Sequence, residues 1–448
     1  MSVKIETAIR KKYESLDKDK ILDELVDKVL ENEKLKKEKE KLEKEFKKYK
    51  NAHTPSSKLG FDKPRALGVR VGRKPGNRTG HNGKTRAKEK PNRQIIVAAE
   101  KNPSNGNKNI KETGYFYKEK IVDFQIKKIV TEYICKEYID LDTGEIFIAK
   151  HHDMPNRGIF GKNVTAFVNW LRFKCRVPHD KIASTFTEVF GIPMTTPTAW
   201  DICNRVAEKV SYKYDELKTN IKEEKAVNAD ETGANRNGIQ EWLWGFFSSM
   251  IALFVFNPKR GGDILERVLG KDFKGKLGCD GWSTYAVYSK EYGILLQRCW
   301  AHLLREVKYL YEKNKELETA YIWINDIFEK VKKARKLKSK SLRKQKHKKL
   351  VKELERWTQI YRAYPKMRDI ITKVKNGGEF WFTCVLYPEI EPTNNGAERG
   401  LRAWRVLEKI IGCLRTEQGE KTTEIMLSLF QTWDLRKANP YEQLRAIL

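Results

Sequence analysis

The stretch WLWGFFSSMIALFVF, residues 242–256, is the most apolar run of this 448-residue chain and the feature that most narrows its fold. It is shorter than the ~20 residues a membrane-spanning helix requires. Ser248 and Ser249 interrupt it in the middle, which suits two buried strands joined by a turn. From Ala226 onward the pattern reads β-β-β-α-β-α-β. Strands are expected at residues 226–230, 240–247, 250–257, 276–280 and 295–299, with helices starting near Gly262 and Trp282. Hydrophobic residues make up 40% of the chain, with 11 Trp, 18 Tyr and 19 Phe, enough to fill a substantial core.

Three antiparallel strands followed by strands alternating with helices is the order of a ribonuclease-H-like mixed sheet. In that arrangement the first and fourth strands are neighbours. Asp230, in NADETG, ends the first strand and Asp280, in LGCDGWSTY, ends the fourth, so their carboxylates would meet at one edge of the sheet. A hard divalent cation such as Mg²⁺ calls for further oxygen donors, and Glu398 in EPTNNGAERGLRAWR is the third candidate. Asn394 or Asn395 can cap a helix there, which puts Glu398 in its first turns. Arg402, four residues on, shares that face and could pair with Glu398 or with a phosphate. Taken alone, Glu398 also reads as an ordinary stabilising acid at a helix N-terminus.

The formal net charge is +30, from 90 Lys and Arg against 60 Asp and Glu. Such an excess favours a polyanionic partner, because each neutralised phosphate releases counterions; a solvated lysine-rich surface is the plainer alternative. No apolar segment follows the start, so neither a signal peptide nor a membrane anchor is expected. The seven cysteines are scattered without a CxxC pair, which points to the reducing cytoplasm rather than to a disulfide framework.

The first fifty residues are charged, free of Gly and Pro, and carry heptads. With Ile21, Lys28, Leu35, Leu42 and Tyr49 at d, the a positions are Leu25, Asn32, Lys39 and Phe46, an interrupted coiled-coil seam. The following Gly, Pro, Arg and Lys-rich stretch cannot bury a core and reads as a linker. Its Arg73, Lys74 and Arg78 are candidates for contact with a DNA backbone or minor groove. Residues 115–150 alternate as strands do, with DTG as a hairpin turn. Further on, an amphipathic segment with Ile182, Phe186 and Val189 ends at Gly191. Thr195 or Thr198 then caps a helix carrying Ile202 and Val206. That is the helix-turn-helix arrangement, although a generic helical hairpin has the same pattern. The run KKARKLKSKSLRKQKHKK, residues 332–349, holds Lys344 and Lys348 and is either a solvated face or a DNA backbone contact.

The segments NADETG, CDGWSTY, CWAHLLREV and PTNNGAERGLR resemble, in order and spacing, the transposases of the insertion sequence 66 family over roughly residues 155–440. The resemblance implies a DDE transposase with Asp230, Asp280 and Glu398 as its catalytic, metal-holding triad. Two Mg²⁺ (or Mn²⁺) ions about 4 Å apart would then serve strand cleavage and strand transfer. Implied partners are double-stranded DNA (transposon ends and target), a homodimer or higher oligomer, and accessory transposition proteins, with no membrane and a cytoplasmic, nucleoid-associated location. Arg399 joins Arg402 as a phosphate candidate. A metal-dependent nuclease, or a DNA-binding protein derived from an inactive transposase, are the other readings.

The expected fold is mixed α/β, laid out in seven regions. A helical coiled-coil region covers residues 1–54, a basic linker 55–110, and a small β unit 111–154. A helix-turn-helix-like region follows at 155–222, then the first part of a ribonuclease-H-like core at 223–300. A helical insertion implied by the resemblance covers 301–390, and the C-terminal helices of the core 391–448. Family members commonly carry a cysteine-based zinc segment where this chain has only Cys135, too few ligands for a tetrahedral site. Cys299-x-x-His302 resembles a signature found after the second Asp in several DDE families; read from its residues it is half a zinc site or, better, a packing and hydrogen-bonding pair.

Overall fold

The computed structural model describes residues 90–104, 106–112, 118–155 and 157–448, and of the first fifty only Glu33, Leu35, Lys36, Glu38 and Glu40. Those five are helical and exposed; the rest of the heptad seam, and Arg73, Lys74 and Arg78, lie outside the described residues. Phe61–Thr131 forms one compact unit and the remaining chain another. The described residues of the first unit contain no helix or strand. In the second, β1 (Glu137–Ile139) and β2 (Ile146–Ile148) make an antiparallel hairpin around the DTG turn, where Gly144 adopts φ 74°. Among the described residues the strand-like alternation yields only these six strand residues; Ile121, Phe124, Ile129 and Ile134 lie outside them and are exposed.

Four helices follow: α1 (Lys162–Asn169), α2 (His179–Glu188), α3 (Thr196–Lys209) and α4 (Ser211–Asn220). Gly191, at φ 62°, turns the chain between α2 and α3. Thr195, not Thr198, is the cap, and its Oγ1 accepts the N–H of Thr198 at 3.3 Å. Ile182, Phe186, Ile202 and Val206 are buried as their spacing demands, but Val189 lies past the end of α2 and is exposed.

The central sheet contains β3 (Ala226–Arg236), β4 (Ile239–Phe247), β5 (Ala252–Asn257), β6 (Lys276–Cys279) and β7 (Leu295–Arg298) in the order β5-β4-β3-β6-β7. The first three are antiparallel; β6 and β7 run parallel to β3. Helix α5 (Asp263–Leu269) precedes β6 and α6 (Ser283–Tyr292) precedes β7. The reach of β3 corrects one expectation: Asp230 is not its last residue. The strand runs six residues further because Asn237 and Gly238, at φ 48° and 86°, form the two-residue turn that pairs Arg236 with Ile239. Ser248 turns the apolar run as expected, its Oγ accepting the N–H groups of Met250 and Ile251.

Helices α7 (Trp300–Lys313), α8 (Glu318–Arg335), α9 (Lys340–Tyr361), α10 (Arg368–Gly377) and the single turn α11 (Thr383–Leu386) fill the stretch after β7. They enclose a core of their own around Trp300, Ile324, Trp357 and Trp381. The chain then returns to the sheet through α12 (Asn395–Ile411), α13 (Glu417–Leu435) and α14 (Pro440–Ile447). Ala397, Leu401, Trp404 and Leu407 form the buried stripe of α12, at roughly 1.5–3 kcal/mol for each large side chain. The helix comes close to the sheet because Gly245 on β4 and Gly400 on α12 have no Cβ. Either added methyl would collide with the Phe247 ring.

Helix α13 lies along the outer edge of β5. Its residues four apart meet strand residues two apart: the N–H groups of Phe256, Phe254 and Ala252 donate to Glu424 Oε1 (2.5 Å), Ser428 Oγ (2.9 Å) and Thr432 Oγ1 (3.0 Å). Arg436 Nε completes the row on the carbonyl of Met250 at 3.0 Å. Four helical residues rise about 6 Å and two strand residues about 6.8 Å, so the two repeats stay nearly in step along the edge.

Candidate active site

The parallel pairing of β3 with β6 ends at Asn228 and Gly278. Two residues beyond on each chain stand Asp230 and Asp280, where the two strands part. Asp280 follows the last residue of β6, and its Oδ1 accepts the N–H of Trp282 at 2.8 Å, starting the turn into α6. Arg298 on β7 holds the Asp280 carbonyl at 2.9 Å. Asp230 lies opposite Gly245, on the side of the sheet that α12 covers. Glu398 sits in the first turn of that helix.

These acids share one electrostatic environment. Burial, and then the negative charges of Glu231, Asp280 and Glu398, raise the Asp230 carboxyl well above the usual carboxylate range. No cation is paired with Asp230 among the described residues. Glu398, about one-third exposed, has Arg305 Nη2 at 3.0 Å and His302 Nε2 at 3.7 Å from its Oε1. Its partner is therefore Arg305 from α7, not Arg402. Arg402 and Arg399 point from α12 into solvent.

Glu231 faces the other side of β3 and is almost wholly buried. Its Oε1 takes two hydrogen bonds from Arg260 (3.0 and 2.6 Å) and its Oε2 one from Tyr285 OH (2.8 Å). The Arg260 guanidinium stacks against Trp242 at 4.9 Å and Trp282 at 4.4 Å. Burial raises Glu231 against the pull of these two donors. The sequence signal for Glu231 was its place beside Asp230; nothing local announced Arg260, Tyr285 or Arg305.

Cys299, expected to end β7, follows its last residue as the N-cap of α7; it is buried, which pushes its thiol up to about 11, and its sulfur accepts the Asn394 N–H at 3.0 Å. Burial, and then Arg305, lower the His302 imidazole. The donor atoms of Cys299, His302 and Glu398 lie within 4.8 Å of one another. A thiol that holds its proton at neutral pH is nevertheless a poor ligand. Carboxylate oxygens such as those of Asp230, Asp280 and Glu398 are hard donors of the kind that suits Mg²⁺ or Mn²⁺.

Of the remaining DNA-contact candidates, Thr195 and Thr198 lie at the start of α3, and Lys344 and Lys348 are exposed on α9. Among the described residues no helix is long and apolar enough to cross a membrane. A comparison with curated proteins returns no match. The family model described as "Transposase IS66 family" matches residues 157–422, over half of the chain and the whole of the sheet and acid cluster just described, and the chain belongs to that family.

Proposed function

We propose that this transposase cuts and joins DNA strands by divalent-metal chemistry at Asp230, Asp280 and Glu398, on a ribonuclease-H-like core. One observation carries the reading: Asp280, just past β6, and Glu398 on α12 stand near enough to Asp230 on β3 for their charges to raise its carboxyl, and no cation pairs with Asp230 among the described residues. The strand order β5-β4-β3-β6-β7, with three antiparallel strands and two parallel ones, supports the fold assignment. Bound by these acids, Mg²⁺ or Mn²⁺ would supply Lewis-acid activation of water and of a DNA 3′-hydroxyl. Arg305 holds Glu398 in place from α7, while Trp282 and Arg298 fix the turn that bears Asp280.

DNA is the partner that the charge fits. Lys340, Lys344, Lys348, Lys352 and Arg356 recur every fourth residue on α9, all exposed and none ion-paired among the described residues, while His347, Leu350, Leu354 and Trp357 face the core. This row of cations spans about 24 Å of helix and suits sequence-independent contact with phosphates. The test is cleavage of a supercoiled plasmid carrying the gene together with its flanking DNA. Asp230→Ala or Asp280→Ala should slow Mg²⁺-dependent cleavage about 10³-fold, if each lost ligand forfeits ~4 kcal/mol, with DNA binding nearly intact. Cleavage at near wild-type rate by either variant would remove that acid from the mechanism.

A further inference from the structure

The three acids share a polar junction that none of them belongs to. Asn394, 1% exposed, uses every polar group it has. Its N–H donates to Cys299 Sγ (3.0 Å) and its Nδ2 to the Ala229 carbonyl (2.8 Å), while its Oδ1 accepts from Asn228 Nδ2 (2.9 Å). Its own carbonyl accepts the N–H of Glu398 at 3.1 Å, closing the first turn of α12. Asn228 in turn lies over Gly278, where an added Cβ would stand 2.2 Å from its Nδ2. Each acid thus sits a fixed step from this junction: Asp230 two residues after Asn228 on β3, Asp280 two after Gly278, and Glu398 one helical turn after Asn394. Side chains two apart on a strand share a face, so a shift of the junction moves the carboxylates with it.

We infer that Asn394, with Asn228 seated in the space Gly278 leaves, is the positioning element that sets the spacing of the three carboxylates and hence their affinity for a divalent cation. This rests on reading Asp230, Asp280 and Glu398 as the metal-holding set. Neither asparagine touches the reacting atoms; both act through the acids. A side-chain amide that reaches the Ala229 carbonyl and the Asn228 amide together suits the task, because asparagine donates and accepts from one rigid plane.

The experiment is a calorimetric titration of Mn²⁺ into the full-length chain without DNA, with a thermal melt of each variant alongside. Asn394→Ala should raise the Mn²⁺ dissociation constant at least tenfold. Asn228→Ala, whose part-buried site water can refill, should shift it in the same direction by less. Asp230→Ala should abolish the binding. Unchanged Mn²⁺ affinity in folded Asn394→Ala and Asn228→Ala, with binding lost in Asp230→Ala, would overturn the inference and leave the metal reading standing. Mn²⁺ binding that survives Asp230→Ala would overturn the metal reading, and the inference with it. If Asn394→Ala does not fold, Asn228→Ala decides: a weaker Mn²⁺ constant supports the inference and an unchanged one refutes it.

Discussion

Glu424 makes the contact between α13 and the edge of β5 sensitive to pH. Burial pushes its carboxyl up to about 7 from 4.5, outweighing the Phe256 N–H and the positive charges of Lys218, Arg267 and Lys421. The folded state therefore binds this proton more tightly than the unfolded chain does. The sign follows from linkage: the stabilisation is fully present below the unfolded value of 4.5 and is lost as pH rises through about 7. A gap of that size corresponds to at most about 3 kcal/mol, and residual solvent access lowers it toward about 2. Glu424→Gln keeps the shape and the acceptor for Phe256 N–H but cannot ionise. Its melting temperature should match wild type near pH 4.5 and exceed it by several degrees at pH 8, measured by circular dichroism in a common low-salt buffer. Glu420, pushed up to about 8 chiefly by burial, titrates nearby in both proteins, so the difference between the two profiles is the quantity to read. Parallel profiles from pH 4.5 to 8 would refute the reasoning, since Glu424 would then carry no folding-linked proton.

Gly400→Ala places a methyl 2.1 Å from Phe247 Cε1. Overpacking of about 1–3 kcal/mol, offset by about 1 for better helix propensity, should lower the melting temperature and weaken cleavage, because Glu398 rides on the displaced turn. Replacing Lys340, Lys344, Lys348 and Lys352 with Gln should flatten the log K against log salt slope by up to about 3.6 and weaken binding to all DNA sequences alike. Filter-binding at several salt concentrations reads this directly, and an unchanged slope would assign this face of α9 to solvent.

The strand order of the core was legible because β4 and β5 carry apolar runs bounded by turn residues, and the two aspartates stood out against that pattern. What local pattern cannot carry is who meets whom across the sheet. Arg402 is the cation one turn from Glu398 on the same helix, yet Arg305 takes the contact from 93 residues upstream, because α7 starts directly where β7 ends. Of the two cap candidates, Asn394 does hold the N-cap position, but its side chain makes no capping bond and reaches back to β3, a partner 165 residues away. The end of β3 was misplaced for a local reason: Asn237-Gly238, the actual hairpin turn, lies seven residues past the acid that drew attention. The alternation before β1 was sound as a pattern but forms no strand among the described residues, and pairing is what makes a strand.

A sheet edge normally offers a free row of N–H and C=O groups on which another chain can template itself. Here the outer edge of β5 is occupied by Glu424, Ser428, Thr432 and Arg436, and on the opposite edge Thr383 Oγ1 takes the carbonyl of Leu296 at 2.5 Å while Gln297 Oε1 accepts the Cys384 N–H. The sheet is therefore closed to growth at β5 and obstructed at β7. Joining of a second copy by strand addition is barred at β5 and hindered at β7. An aggregate built by strand addition at β5 would first have to peel α13 away, which couples protection of that edge to the same side chains that hold the last long helix in place.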